Sequence, residues 1–220
     1  MKHKIVAFVP IKLNNERFPG KNLKKFGDGK VLLTYFLEKI IQVKHIDEFY
    51  VFCSDESIKP FLNAKVSFLK RPQTLDSQET TSQDIIRDFM DKVEADIYCL
   101  CHCTSPFVSV EHFNQAVESL VLGEFDSAFT ARKIQKHLWK SDKNALNFDP
   151  QNIPRTQDLP ILYEEIPAIF AFRRDTFKML QRRVGINPCI VEVDEVESVD
   201  IDYPQEFYIA DAIYMNKKDS

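Results

Sequence analysis

What most constrains this chain is a rhythm. Short, β-rich apolar runs at residues 4–10, 49–53, 66–69, 97–103 and 126–131 alternate with stretches whose apolar residues recur at helical spacing. The runs are close to continuously apolar, which marks strands covered on both faces, and helices between successive strands are the crossovers of a parallel sheet. Residues 31–43 place Leu32, Leu33, Phe36, Leu37, Ile40 and Ile41 on one helical face, and residues 110–122 form another such segment. Thr80 with Gln83 three residues on reads as a capping box for a helix carrying Ile85, Ile86, Phe89, Met90 and Val93. A short helix is expected at 56–62. The fold class is therefore α/β, a mostly parallel sheet with helices on both faces.

The rhythm breaks at 136–160, a polar stretch rich in Asn, Asp, Lys and Pro, which reads as an arm or insertion near 136–165. Regular structure resumes at 166–172, with a helix near 176–182, strands near 190–193 and 198–201, and a last helix over 204–214. A length of 220 residues suits a single domain, 1–220, with that arm.

Several classes are poor fits. A net charge of −4 supplies no global basic field for nucleic acid or anionic lipid. Apolar runs such as 166–172 are far short of the roughly 20 residues of a membrane span. The first apolar run is also too short for a secretory leader, so a cytoplasmic protein is expected. Five cysteines without a paired framework suit reduced thiols. Cys99, Cys101 and Cys103 alternate along one expected strand with His102 on its other face, and read as buried structural residues.

In open α/β sheets, ligands bind beyond the carboxyl ends of the strands, where strand order reverses. Three of the five glycines, Gly20, Gly27 and Gly29, follow the first strand. There Lys12, Arg17 and Lys21 share one loop that is closed by Pro19-Gly20. Three cations near backbone amides suit a polyphosphate, or form a solvated basic loop. The loop is neither a Walker A sequence nor a dinucleotide fingerprint.

The stretch Val9-Pro-Ile-Lys-Leu-Asn-Asn-Glu-Arg-Phe-Pro-Gly-Lys-Asn22 resembles, without gaps, the I-P-A-R-x-G-S-x-x-x-P-x-K-N loop of the CMP-sialic acid synthetases (acylneuraminate cytidylyltransferases) and their CMP-Kdo synthetase relatives. Further segments follow in the family's order. Ser54-Asp55 is similar to its T/S-S-D, Arg71-Pro72 with Leu75 to R-P-x-x-L-A, and Thr104-Ser105-Pro106 to Q-P-T-S-P. Residues 155–160 resemble R-R-Q-D-L-P, and residues 197–204 resemble E-S-x-D-I-D-T-P.

The resemblance implies a Rossmann-like nucleotide-binding sheet with an inserted dimerisation arm, and a cytidylyltransferase that joins CTP to an acidic sugar, sialic acid or a related nonulosonate, with release of pyrophosphate. In that reading Lys12, Arg17 and Lys21 hold the triphosphate, Asn22 contacts the nucleotide, and Arg71 with Thr80 and Ser82 reads base and ribose. Asp200 and Asp202, at i and i+2 on an expected strand end, are the ligands for Mg2+. His102, Arg155, Gln157 and Tyr163 are the acceptor candidates, with Arg155 the partner for a carboxylate. A homodimer is implied as well.

The chain departs from the pattern at four places. Lys12 replaces the first-loop Arg, Asn14-Asn15 the Gly-Ser, His102-Cys103 the Gln-Pro, and Ile166-Pro167 an Asn-Gly. Two of these fall on the acceptor side. Alternatives therefore stay open: the same chemistry on a different acceptor, or a nucleotide-binding homologue without turnover.

Overall fold

A computed structural model describes residues 3–219; Met1, Lys2 and Ser220, the ends of the single-domain span, lie outside it. Seven strands form one sheet: β1 (Ile5–Ile11), β2 (Glu48–Cys53), β3 (Val66–Lys70), β4 (Ile97–Cys101), β5 (Ser127–Ile134), β6 (Leu162–Arg173) and β7 (Pro188–Val193). Their order is β3-β2-β1-β4-β6-β5-β7. All neighbouring pairs are parallel except those of β6, which runs antiparallel to both β4 and β5.

The continuous apolar strands are explained by what covers them. In β1, Ile5, Ala7, Val9 and Ile11 pack into one core cluster with α1 (Leu32–Ile40) and α3 (Val110–Val121). Val6 and Phe8, pointing the other way, join Ile86 and Phe89 of α2 (Ser82–Lys92) and Phe177 of α4 (Arg174–Leu180). Each strand residue thus finds an apolar partner whichever way it faces. A third cluster is functional in its placement. Phe207 and Ala210 of α5 (Pro204–Asp219) pack with Phe18 and Phe26 from the loop after β1 and with Ile201. This cluster holds the later part of the basic loop, at Phe18, and the chain just after it, at Phe26, against the segment that carries Asp200 and Asp202.

Several expectations are corrected. The capping box is Thr81 with Asp84, not Thr80 with Gln83: Asp84 N donates to Thr81 Oγ1 at 3.2 Å and Thr81 N donates to Asp84 Oδ2 at 3.0 Å. The first helical residue is consequently Ser82, and Asp84 at the third helical position closes the box. Residues 198–201 form no strand; Ile201 N donates to Thr104 O at 2.8 Å, a single tether rather than a ladder. The strand expected over 97–103 ends at Cys101, because Ser105 N turns back to His102 O. The segment expected helical at 176–182 is α4, two residues earlier, stopped by Gln181 in the left-handed region (φ 53°). The 56–62 segment is a 3-10 helix, Glu56–Phe61, with Pro60 inside it. The arm ends before Leu162, so Tyr163 belongs to β6, opposite Lys133 of β5.

One irregularity serves the site. The β5–β6 register jumps between Phe129, opposite Phe170, and Thr130, opposite Ile166. Pro167 lies in the bulged segment; with no N–H it cannot complete a central ladder, and a bulge is where a sheet tolerates it. Thr130 Oγ1 fastens the bulge by donating to Ile166 O at 2.7 Å.

Candidate active site

β1 and β4 lie side by side, and successive connections leave them toward opposite edges of the sheet. A cavity of about 370 Å³ opens beyond their carboxyl ends, at the reversal where such folds place a ligand. It is lined by Lys12, Asn15, Arg17, Lys21 and Asn22 after β1, by Arg71 and Thr80 after β3, by His102, Cys103 and Thr104 after β4, by Pro167 of the bulge, and by Asp200 and Asp202.

The loop after β1 is held from within. Asn15 Nδ2 and Asn22 Nδ2 both donate to Lys12 O, at 2.6 and 2.9 Å. Its left-handed residue is Gly20 (φ 70°); neither Asn14 nor Asn15 is among the residues with positive φ. The loss of the family's Gly-Ser is therefore accommodated without left-handed strain.

At the loop's far end Lys21 is buried, with Nζ donating to Ile201 O at 2.8 Å and to Asp202 Oδ1 at 2.9 Å. Arg17 Nη1 pairs with Asp202 Oδ2 at 2.5 Å and its guanidinium lies 5.5 Å from the Tyr203 ring centroid. Burial alone would raise the Asp202 pKa, but the Lys21 hydrogen bond and the Lys21 and Arg17 charges outweigh it and hold the carboxyl below its usual range. Asp200, two residues earlier, shifts the other way. Burial dominates there, although Thr104 and Ser105 donate to it, Ser105 Oγ at 3.1 Å from Oδ1. Two neighbouring carboxylates thus carry unequal environments.

Arg71 is almost wholly buried (2% exposed) and ion-paired with Asp76, whose second oxygen accepts from Ser54 Oγ. The backbone anchors it too, Arg71 N donating to Cys53 O at 3.0 Å. His102 forms part of the cavity wall while remaining half-buried. Burial, with the Arg183 and Lys21 charges adding, pushes its ring pKa down to about 4, so it is neutral near pH 7. Cys103 stays a thiol, its pKa pushed by burial up to about 12, with Sγ 3.3 Å from Asn22 Oδ1.

Nine of the residues singled out in the sequence meet at this cavity: Lys12, Arg17, Lys21, Asn22, Arg71, Thr80, His102, Asp200 and Asp202. Four do not line it. Ser82 starts α2 and accepts from Arg183 Nη1 at 3.3 Å. Arg155 is an exposed residue whose Nε pairs with Asp158 Oδ2 at 2.7 Å, and Gln157 follows it in an exposed turn. Tyr163 Oη donates to Glu192 Oε2 at 3.3 Å. Arg155, Gln157 and Tyr163 thus lie away from this chain's own cavity: β6 begins at Leu162 and carries Tyr163 along the ladder. Asp76 and Ser105 were not assigned roles in the sequence. Ser105 stood within a quoted motif, whereas Asp76 had no signal, lying five residues after Arg71 in a one-turn helix.

The fold and cavity define an α/β protein that sets a cationic loop, Lys12, Arg17 and Lys21, at the reversal of strand order where such sheets bind ligands. A family model described as cytidylyltransferase matches residues 6–214, and the chain belongs to that family. It is 26% identical over 219 residues to a pseudaminic acid cytidylyltransferase and UDP-2,4-diacetamido-2,4,6-trideoxy-beta-L-altropyranose hydrolase of Helicobacter pylori, covering 94% of this chain and 42% of the relative. It is 25% identical to the N-acylneuraminate cytidylyltransferase of Oncorhynchus mykiss, covering 92% of this chain and 49% of the relative. The chain thus spans about half the length of these curated relatives. Among solved structures, CMP:2-keto-3-deoxy-manno-octonic acid synthetase complexed with CTP superposes with a TM-score of 0.72 at 20% identity, covering 97% of this chain and 99% of that one. The 4-diphosphocytidyl-2C-methyl-D-erythritol synthase of Anaerococcus prevotii gives 0.69 at 15% identity, with 96% of each chain covered. At these identities the superpositions speak to the fold.

Proposed function

We propose that this protein transfers the CMP moiety of CTP to a hydroxyl of an acidic sugar, of the sialic-acid or nonulosonate type, and releases pyrophosphate. The observation that carries it is the convergence of Lys12, Arg17 and Lys21 with Asp200 and Asp202 on one cavity at the β1/β4 reversal. The acceptor hydroxyl oxygen attacks the α-phosphorus and loses its proton to solvent, the bond from the α-phosphorus to the α–β bridging oxygen breaks, and charge accumulates on the departing pyrophosphate. Lys12, Arg17 and Lys21 stabilise that charge from fixed positions, which is how phosphoryl-type transfers are accelerated. Arg71, immobilised by Asp76, has only donors to offer a base, which suits the N3 and O2 acceptors of cytosine and opposes the N3–H of uracil.

Asp200 and Asp202 fit Mg2+. Both line the cavity, and Mg2+ is ordinarily held by one or two carboxylates plus substrate phosphates. When bound, Mg2+ would offset part of the triphosphate charge. The exposed apolar side chains of the arm support a homodimer.

The test is pyrophosphate release from CTP and Mg2+ with N-acetylneuraminic, pseudaminic and 2-keto-3-deoxy-octonic acids as acceptors, and UTP, ATP and GTP as controls. Release with CTP and one acid is expected. A raised Tm with CTP but no release across the panel would leave only nucleotide binding, and no Tm change with CTP would remove the reading altogether.

A further inference from the structure

Glu197 opens the segment that resembles E-S-x-D-I-D-T-P, yet it does not line the cavity. It is nevertheless buried, at 7% exposure. A buried carboxylate is costly unless it is paired, so its partners define its role. Oε1 accepts from Ser109 N at 2.8 Å, and His112 Nδ1 lies 2.7 Å from Oε2. Ser109 is the N-cap of α3, and its Oγ accepts from His112 N at 3.3 Å. The Glu197 carboxylate therefore docks on the first turn of α3, where the helix dipole favours negative charge.

That contact is the first of a series. Ser105 Oγ donates to Asp200 Oδ1 at 3.1 Å, and Ile201 N donates to Thr104 O at 2.8 Å. Glu197 thus meets Ser109, Asp200 meets Ser105 and Ile201 meets Thr104, so residues 197–201 run antiparallel to 104–109. In a strand pair a ladder of backbone bonds would set this register. Residues 198–201 belong to no strand, and these contacts take the ladder's place. The 104–109 side is itself braced, because Lys39 of α1 donates from Nζ to Pro106 O at 2.6 Å and to Val108 O at 3.0 Å. We propose that Glu197 is a positioning residue for the metal site: by registering residues 197–201 against the loop after β4, it places the Asp200 carboxylate for Mg2+. Asp202 is held separately by Lys21 and Arg17, so the effect falls on Asp200. The inference rests on the Mg2+ reading of Asp200 and Asp202. The role requires reach rather than charge: Gln at this position still accepts from Ser109 N, whereas Asp keeps the charge but is one methylene short.

The experiment titrates CTP calorimetrically, in EDTA and again with Mg2+, into wild type, Glu197→Ala, Glu197→Asp and Glu197→Gln, and follows the thermal unfolding of each. Wild type is expected to bind CTP more tightly with Mg2+. In Glu197→Ala and Glu197→Asp that gain should shrink at least fivefold, with the Kd for CTP in EDTA within twofold of wild type. Glu197→Gln should keep the gain within twofold of wild type. In pyrophosphate release, Glu197→Ala and Glu197→Asp should need severalfold more Mg2+ for half of the maximal rate. A purely structural Glu197 would lower the Tm of its variants and leave the Mg2+ gain at its wild-type size; that result overturns the proposal. A Glu197→Gln variant as impaired as Glu197→Ala overturns it too. If Glu197→Ala does not fold, an undiminished gain in Glu197→Asp overturns it equally. A wild type whose CTP affinity is unchanged by Mg2+ removes the metal reading and this proposal with it. A wild type that does not bind CTP instead removes the nucleotide assignment.

Discussion

Asp202 is held by both Lys21 and Arg17, the cations assigned to the triphosphate. In the structure these two cations pair with Asp202, so on the proposed roles a polyphosphate competes with a carboxylate for them. Asp202→Asn is accordingly expected to abolish turnover, yet to strengthen CTP binding in EDTA, because both cations are released from a competing carboxylate. The wild type should show the opposite dependence, binding CTP more tightly when Mg2+ is added. Calorimetric titration with and without the ion checks both signs, and weaker CTP binding by Asp202→Asn in EDTA would refute the competition. His102 yields a different prediction. Its folded pKa of about 4 lies below the ordinary value of 6.5, so the unfolded chain binds the proton first as pH falls. Stability is then full above about pH 6.5 and declines toward pH 4, by on the order of 3 kcal/mol from this residue. His102→Gln should flatten that part of the stability curve measured by urea unfolding between pH 7 and 4. Neither effect was legible in the sequence, where His102 and Asp202 stood out only by position in a motif, because both depend on charges brought in from distant segments.

The elements were far more legible than the contacts between them. Five runs of apolar residues locate β1 to β5, most plainly β1 and β4, which are buried on both faces. The failures have local causes. Asp200 lies in a segment that reads as a strand but has no neighbouring strand to pair with, and the periodicity of a sequence does not reveal a missing partner. The antiparallel direction of β6 was equally hidden, because side-chain alternation is the same in either direction. At α2 the cap falls one residue after the expected Thr80, and the structure selects Thr81 with Asp84. Thr81→Ala should therefore lower stability by about 1 kcal/mol, the usual cost of a lost N-cap, while Thr80→Ala should change stability by no more than a few tenths. Thermal unfolding of the two variants separates them, and equal effects would count against the observed box. The consequence reaches the site, since Thr80 lines the cavity and Ser82 anchors Arg183 on either side of that cap.

The assembly poses the remaining structural question, because the arm exposes more apolar surface than its own packing uses. Trp139 is 57% exposed, Leu146 51% and Ile153 64%, in a segment that leaves the sheet after β5 and returns as β6. The arm is nevertheless ordered by its own contacts. Phe148 meets the rings of Trp139 and His137 edge-on at 5.2 and 4.7 Å, and His137 Nε2 lies 3.0 Å from Pro154 O. A shaped segment that keeps large apolar side chains in water fits a surface normally covered by another chain. The sequence identified the arm by its polarity and its broken rhythm, but not which of its side chains face outward, since that depends on how Phe148 is packed. A symmetric pair of arms is the simplest way to bury such a patch, because one surface then completes itself. Light scattering on the eluting protein should give twice the chain mass of 25.7 kDa for wild type. Trp139→Ala combined with Ile153→Ser should shift the population toward the single-chain mass while leaving the CTP-induced rise in Tm in place, because the nucleotide cavity is lined by none of these residues. A wild type that elutes at the single-chain mass would exclude the arm as a self-association surface. A variant that dimerises as wild type does would place the interface on another face.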